Sequence, residues 1–359
     1  MILKKFKNKK VLVTGHSGFK GSWLSLWLHL LGAKVYGIGL KPKNESHFNY
    51  LNLSQKINSH YINILDKKKF EKKILSIKPD YIFHLAAQAL VPTSIKIPEL
   101  TWKTNLNGTI NILETLIKLK KKTVCIFITS DKCYKNLEKI SGYKENDELG
   151  GEDPYSGSKA SAEIAINSYF KTYLKKTSHK IATARAGNVI GGGDWSEGRI
   201  IPDCMKSIFY QKKVKIRNLK SSRPWQHILD LVYGYMLLAI KLSENKKLNG
   251  NSFNFGPSIS TINTIKQVLE EIKKSWSKLQ FIQYKKKPIK ETNILVLNSS
   301  KSKKLLKWKT CLSFKKSIKL TTNWYKEFYK IKKNSKKSEI CFNLSSNQIK
   351  NYQLNYFND

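Results

Sequence analysis

Tyr155 and Lys159 stand four residues apart in Asp153-Pro-Tyr-Ser-Gly-Ser-Lys159, a spacing that puts both side chains on one face of a helix. An ammonium beside a phenol favours the phenolate, drawing its pKa down from ~10 toward the range of a working general base. In a lysine-rich chain the pair also arises by chance, as a surface Tyr and Lys. A second group, Ser130-Asp131-Lys132, follows the apolar run Thr123-Val-Cys-Ile-Phe-Ile-Thr129 and offers a hydroxyl, a carboxyl and an amine in succession. The third is Val11-Leu-Val-Thr-Gly15-His-Ser-Gly18-Phe-Lys-Gly21, whose glycines are spaced G-x-x-G-x-x-G between an apolar run and a helix-like segment. Such a turn sets backbone N–H groups and the positive end of a helix dipole against a pyrophosphate, and needs glycine where a side chain would block the approach. Glycine turns also join strands to helices in proteins that bind no nucleotide. The three groups in this chain order point to a dinucleotide used together with acid–base chemistry.

Alternating elements must position these groups. Strand-like runs at residues 11–14, 34–40, 61–66, 79–87, 123–129 and 180–186 alternate with helical patterns at 22–31, 67–77 and 100–118 and after Pro154. This predicts an α/β fold, a doubly wound parallel Rossmann-type sheet with a smaller C-terminal substrate-binding lobe. Ligands of such sheets lie at the carboxyl edge, where residues 130–132 fall. The expected division is 1–186 for the dinucleotide-binding domain, with segments near 228–258 returning to it, and 187–330 for the covering lobe. Residues 331–359, rich in Lys, Ser and Asn, read as a weakly ordered tail. The second strand ends at Lys41-Pro42, where an NAD-binding unit usually carries Asp or Glu for the ribose hydroxyls, so NADP stays open beside NAD.

The 359 residues carry 66 Lys plus Arg and a formal net charge of +41, which raises a nucleic-acid-associated protein as an alternative. The identity of the charges argues against it. Only Arg185, Arg199, Arg217 and Arg223 are arginine, whereas base and backbone readers favour the arginine fork. The lysines read as surface drift, and each remaining arginine as a residue with a geometric job. Arg199 and Arg223, with Asn188, are candidates to hold a diphosphate, against the plainer reading of structural ion pairs. His84 and His227 read as packed, hydrogen-bonded histidines. Five scattered cysteines without a C-x-x-C pair imply a reducing cytoplasm and no metal site. No apolar run reaches the ~18 residues of a membrane span, and no signal peptide is expected.

The segments Thr14 to Leu24, His84-Leu-Ala-Ala-Gln88, Thr129-Ser-Asp-Lys-Cys-Tyr134, Asp153 to Lys159, Arg185 to Trp195 and Arg223-Pro-Trp-Gln-His227 resemble the extended short-chain dehydrogenase/reductases that act on nucleotide sugars. His16 with Phe19-Lys20-Gly-Ser-Trp23, the Ser-Asp-Lys-Cys-Tyr run and Gly191-Gly-Gly-Asp-Trp195 are most similar to the CDP-glucose 4,6-dehydratase family. The resemblance implies a redox-neutral dehydration by a hydro-lyase. Tyr155, helped by Lys159 and Ser130, would take the C4 hydroxyl proton, and a protonated Asp131 would serve the departing C6 hydroxyl. Lys132 stands where the dTDP-glucose branch has Glu, and would act at C5 as a neutral base or by ordering a water or the substrate. The implied cofactor is NAD. Its contacts would be Gly15, Ser17, Gly18, Phe19 and Gly21 at the turn, Asn63 and Ile64 at the third strand, and Leu85, Ala86 and Ala87 after the fourth. The implied partners are CDP-glucose and further copies of the chain in a homodimer or homotetramer, with no nucleic acid and no membrane. A related epimerase, or a dehydratase for another nucleotide sugar, is the nearest alternative.

Overall fold

The computed structural model describes residues 2–258, 262–284, 295–331 and 336–356. The apolar runs become the strands β1 (Lys10–Thr14), β2 (Lys34–Gly39), β3 (Asn58–Tyr61), β4 (Tyr81–His84), β5 (Val124–Ile128), β6 (Lys180–Ala186) and β7 (Asn251–Phe255). They form one sheet in the order β7-β6-β5-β4-β1-β2-β3, with every neighbour parallel. Helices α1 (Phe19–Leu30), α2 (Lys67–Ile77), α3 (Gly108–Lys118) and α4 (Pro154–Tyr169) make the crossovers. The strand order reverses direction between β1 and β4, so the crevice of the doubly wound sheet opens beside the glycine turn.

Both sheet faces are covered, and the side chains divide as a pleat requires. Val11 and Val13 enter one apolar core with α1, while Leu12 enters the other with α2 and α3. The third strand is the first departure from the expected pattern. It runs from Asn58 to Tyr61, and residues 62–66 turn, because Asn63 Oδ1 accepts from Leu65 N and Asp66 caps α2 by accepting from Lys69 N.

The chain after β6 covers the carboxyl edge. It includes α5 (Ile200–Phe209), the apolar α6 (Ile228–Glu244), α7 (Ile265–Ser275) and α8 (Phe314–Lys330). Short pairings of Val189–Ile190 with Gln226–His227, and of Ser222–Arg223 with Asn263–Thr264, hold the cover together. Between them α6 returns under the sheet and β7 joins its edge beside β6.

Within the segment 331–359 expected as a weakly ordered tail, Lys337–Tyr356 form α9, while 332–335 and 357–359 lie outside the described residues. Cys341, Ser345, Ile349 and Tyr352 recur on one helical face, and all four are buried. Serine in that stripe gives it the composition of a solvated tail, although the face packs. Tyr352 Oη donates to Asp230 Oδ1 on α6 at 2.7 Å, and Cys311 N donates to the same carboxyl at 2.8 Å. Burial still pushes Asp230 up to about 6. A folded pKa above the unfolded value means that the carboxyl's contribution is complete below about 3.9 and is lost as pH rises through about 6. Tyr352→Phe removes a donor that favours the carboxylate and raises this pKa further. It should lower the unfolding free energy by about 1–2 kcal/mol, more at pH 8 than at pH 5, as read by urea titration.

Candidate active site

Glycine is demanded twice where α1 leaves the sheet. Gly15 has φ +71°, and a Cβ there would lie 2.8 Å from Ala86 N. A Cβ on Gly21 would lie 2.1 Å from Gly15 O, so the first turn of α1 crosses the loop at backbone contact. Gly18, the N-cap, would meet only Gly15 O at 3.4 Å, which leaves its outer side open to a ligand. Ser17 Oγ donates to Leu40 O at 2.8 Å and pins the turn to the end of β2. Phe19 packs against Gly191 of the cover. Leu85 N and Ala86 N donate to Thr14 O and Thr14 Oγ1, bringing residues 85–87 beside the turn. Ile64 sits just behind the rim. Its side chain is in the core against Gly108 and its carbonyl accepts from Asn111 Nδ2, leaving exposed Asn63 at the rim. Lys41 is exposed at the end of β2.

At the end of β5 the acid–base residues gather out of water. Asp153 caps α4 by accepting from Tyr155 N and Ser156 N, at 2.9 and 3.0 Å. One turn on, Lys159 Nζ donates to Ile128 O at 3.4 Å, which turns this face of α4 onto the strand end. Ser130 Oγ donates to Asp131 Oδ1 at 2.9 Å and accepts from Lys132 N at 3.2 Å. Asp131 is 6% exposed, Lys159 7% and Tyr155 9%. Burial raises the Asp131 pKa against the pull of Lys132, Ser130 and Lys20, which moves the carboxyl toward its protonated form. Burial also pushes Tyr155 up to about 12, opposed by its hydrogen bond with Ser130. It draws Lys159 down to about 8, opposed by Glu163. The phenol pKa drop expected from the Tyr–Lys spacing is therefore absent in the protein alone. Removing a phenolate from water costs more than the neighbouring charges return.

The cover brings further charge to this edge. Arg199 Nη1 donates to Asp194 Oδ2 at 2.8 Å, and Arg199 acts on both Tyr155 and Lys20. A Cβ on Gly187 would lie 3.1 Å from Asp131 Oδ2 and 3.9 Å from Pro224 Cγ, so the carboxyl sits at the seam beside Arg223. Arg223 Nη1 donates to Ser222 O, and Asn188 O accepts from Gln226 N. Lys20 is the residue that sequence reasoning passed over as a mere family marker. Its charge is felt by Asp131, Arg199, Lys159 and Asp194, and burial draws it down to about 8. The available signal was a lysine in the first turn of α1, at the helix end where a cation is unfavourable without an anion. His84 and His227 are buried, His84 bonding Thr14 Oγ1 at 2.8 Å and His227 Nδ1 accepting from Leu229 N. Among the described residues no group of His, Cys, Asp and Glu could hold a metal ion.

A doubly wound parallel sheet, a glycine turn after β1 and a Ser/Tyr/Lys group at the ends of β5 and α4 define the short-chain dehydrogenase/reductase class. Residues 12–321 match the family model described as GDP-mannose 4,6 dehydratase, and the chain belongs to that family. It is 37% identical over 334 residues to the CDP-glucose 4,6-dehydratase of Salmonella typhimurium, covering 91% of this chain and 93% of that one. Two solved structures share the fold. The UDP-glucose 4-epimerase of Thermotoga maritima has a TM-score of 0.78 at 24% identity, over 89% of this chain and 99% of that one. The dTDP-glucose 4,6-dehydratase of Bacillus anthracis, in complex with NAD, has a TM-score of 0.74 at 22% identity, over 89% and 97%.

Gly187→Ala tests the seam. Its methyl group forces the Asp131 carboxyl to move by a few tenths of an ångström, and turnover should fall about tenfold while the thermal midpoint stays put.

Proposed function

We propose that this protein is a 4,6-dehydratase that uses NAD to convert CDP-glucose into CDP-4-dehydro-6-deoxyglucose. The observation that carries the reading is Asp131, a buried carboxyl whose pKa is raised by burial, bonded to Ser130 and beside Tyr155. An acid in that state suits expulsion of a hydroxyl, which a simple epimerisation does not require. The choice of CDP-glucose is supported by the Salmonella relative, with Lys132 following Asp131 in place of a second carboxylate.

The open side of Gly18, the amides at the start of α1 and the small residues Ala86 and Ala87 fit a dinucleotide. Bound there, NAD would supply a hydride acceptor at sugar C4 and return the same hydride to C6. The chain's own groups handle the protons. Tyr155, oriented through Ser130, takes the C4 hydroxyl proton in its phenolate form, which the positive charges of Lys159 and of the bound cofactor would favour. Lys159, with its charge stabilised by Glu163, keeps a positive potential at the same edge. The C4 ketone acidifies the C5 proton, whose removal is assigned to Lys132, directly or through a water that it orders, and a proton returns to C5 as the hydride returns to C6. Asp131 gives its proton to the C6 oxygen, which leaves as water. Asn188, Arg199 and Arg223 hold the diphosphate, with Asp194 fixing the Arg199 fork.

A homodimer or homotetramer is supported by exposed Leu100, Trp102 and Ile164 on neighbouring helical segments. A reducing cytoplasm is supported by five free cysteines.

Purified protein given CDP-glucose should yield a 4-keto-6-deoxy sugar with its alkali-induced absorbance; no product from CDP-glucose sinks the assignment, and UDP-, GDP- and dTDP-sugars separate the relatives. Tyr155→Phe should abolish the reaction with folding intact. Asp131→Asn should release a sugar nucleotide lighter by two hydrogens rather than by water, as read by mass spectrometry. Normal turnover in Lys132→Met would remove the amine from the C5 step.

A further inference from the structure

Four buried polar groups run in a line from the C-terminal helix to the dinucleotide turn. Trp324 Nε1 on α8 donates to Ser345 Oγ on α9 at 3.0 Å. Ser345 Oγ lies 3.0 Å from His47 Nε2, and His47 Nδ1 lies 2.8 Å from Ser22 Oγ on α1. Ser22 Oγ in turn is 2.9 Å from Phe19 O in the first turn of that helix. All four side chains are buried, so none of these bonds can be exchanged for one to water without cost.

Counting hydrogens gives the line a direction. A carbonyl can only accept, so the Ser22 hydrogen goes to Phe19 O and Ser22 must accept from His47 Nδ1–H; Nε2 is then left to accept from Ser345, whose oxygen also accepts the indole N–H. Every hydrogen is then used. The opposite tautomer would turn Ser345's hydrogen out of the line and Ser22's away from Phe19. Burial holds His47 neutral, drawing its pKa down to about 3, and its ring stacks on Trp23 at 4.7 Å. A Cβ on Gly193 would lie 2.3 Å from the His47 ring, so the cover loop closes over the same imidazole.

We propose that Ser345 is a positioning residue for the dinucleotide turn, acting through His47 and Ser22 on the Phe19 carbonyl. The last bond fixes the first turn of α1, whose amides face the open side of Gly18. The C-terminal helix thereby determines how well the turn is formed for its ligand. For its functional consequence the inference rests on the dinucleotide reading above.

The experiment uses the full chain, labelled with ¹⁵N-histidine, with the His47 signals assigned by their loss in His47→Gln. Wild type should show a single Nδ1–H tautomer for His47. Ser345→Ala should show a mixture of tautomers and bind NAD about tenfold more weakly, and Ser345→Thr should restore both. Tyr352→Phe, on the same helix but outside the line, should lose stability and keep both the tautomer and the NAD affinity. The proposal is overturned if Ser345→Ala keeps a pure tautomer, if it keeps wild-type NAD affinity, or if Tyr352→Phe weakens NAD equally. Wild-type protein that binds no NAD would remove the cofactor reading and leave the tautomer of Ser345→Ala to decide the line.

Discussion

The ion pair of Glu163 and Arg185 holds the site's framework in register. Glu163 lies one turn beyond Lys159 on α4, and its carboxylate meets the Arg185 guanidinium of β6 in a bidentate pair at 2.9 and 3.0 Å. The same carboxylate accepts from Thr129 at the end of β5 and from Thr183 on β6. Arg185 continues to Tyr134 Oη, which donates to Asn254 on β7. Both charges are almost completely buried, so each holds its position only because the other and the surrounding hydroxyls replace lost water. Removing one partner leaves the other as a desolvated charge. This one pair therefore fixes the angle at which α4 presents Tyr155 and Lys159 to Ser130.

Desolvation then sets the chemistry of the groups so presented. The same burial raises Asp131 and Tyr155 and lowers Lys159 and Lys20, so each group is moved toward its neutral form. An acid moved toward its protonated form and amines drawn toward neutrality are suited to exchange protons at a sugar ring. The contrast with the surface is sharp. Most of the chain's lysines are solvated and carry the net charge without touching the edge, while buried Lys159 and half-buried Lys20 share in its electrostatics.

The cover is bound to the sheet by contacts for which glycine clears the way. A side chain on Gly191, Gly192 or Gly193 would run into Ile228, Trp324 or His47. Trp23 Nε1 donates to Gly192 O and Tyr325 Oη to Asp194 O, so the loop carrying Asp194 is tied both to α1 and to α8. Arg199 and the glycine turn thus rest on one aromatic cluster. The C-terminal helix completes that cluster.

What could be read from residue order alone was whatever depends on near neighbours. The glycine turn, the Tyr155/Lys159 spacing, Ser130-Asp131-Lys132 after a buried strand and the alternation of strand and helix are local patterns, and each carries its geometry with it. A resemblance spread over most of the chain added the family. Three features needed the folded chain. Ile64 turned inward because the third strand ended early and Gly108 left room for it. Residues 337–356 became a packed helix because a stripe containing Ser345 met Trp324, His47 and Asp230, partners distant in sequence. The Tyr155 phenol rose because its desolvation exceeds the charge–charge attraction that spacing suggests. In each case the deciding quantity is burial, which no local spacing encodes, since it is set by what the rest of the chain stacks on top.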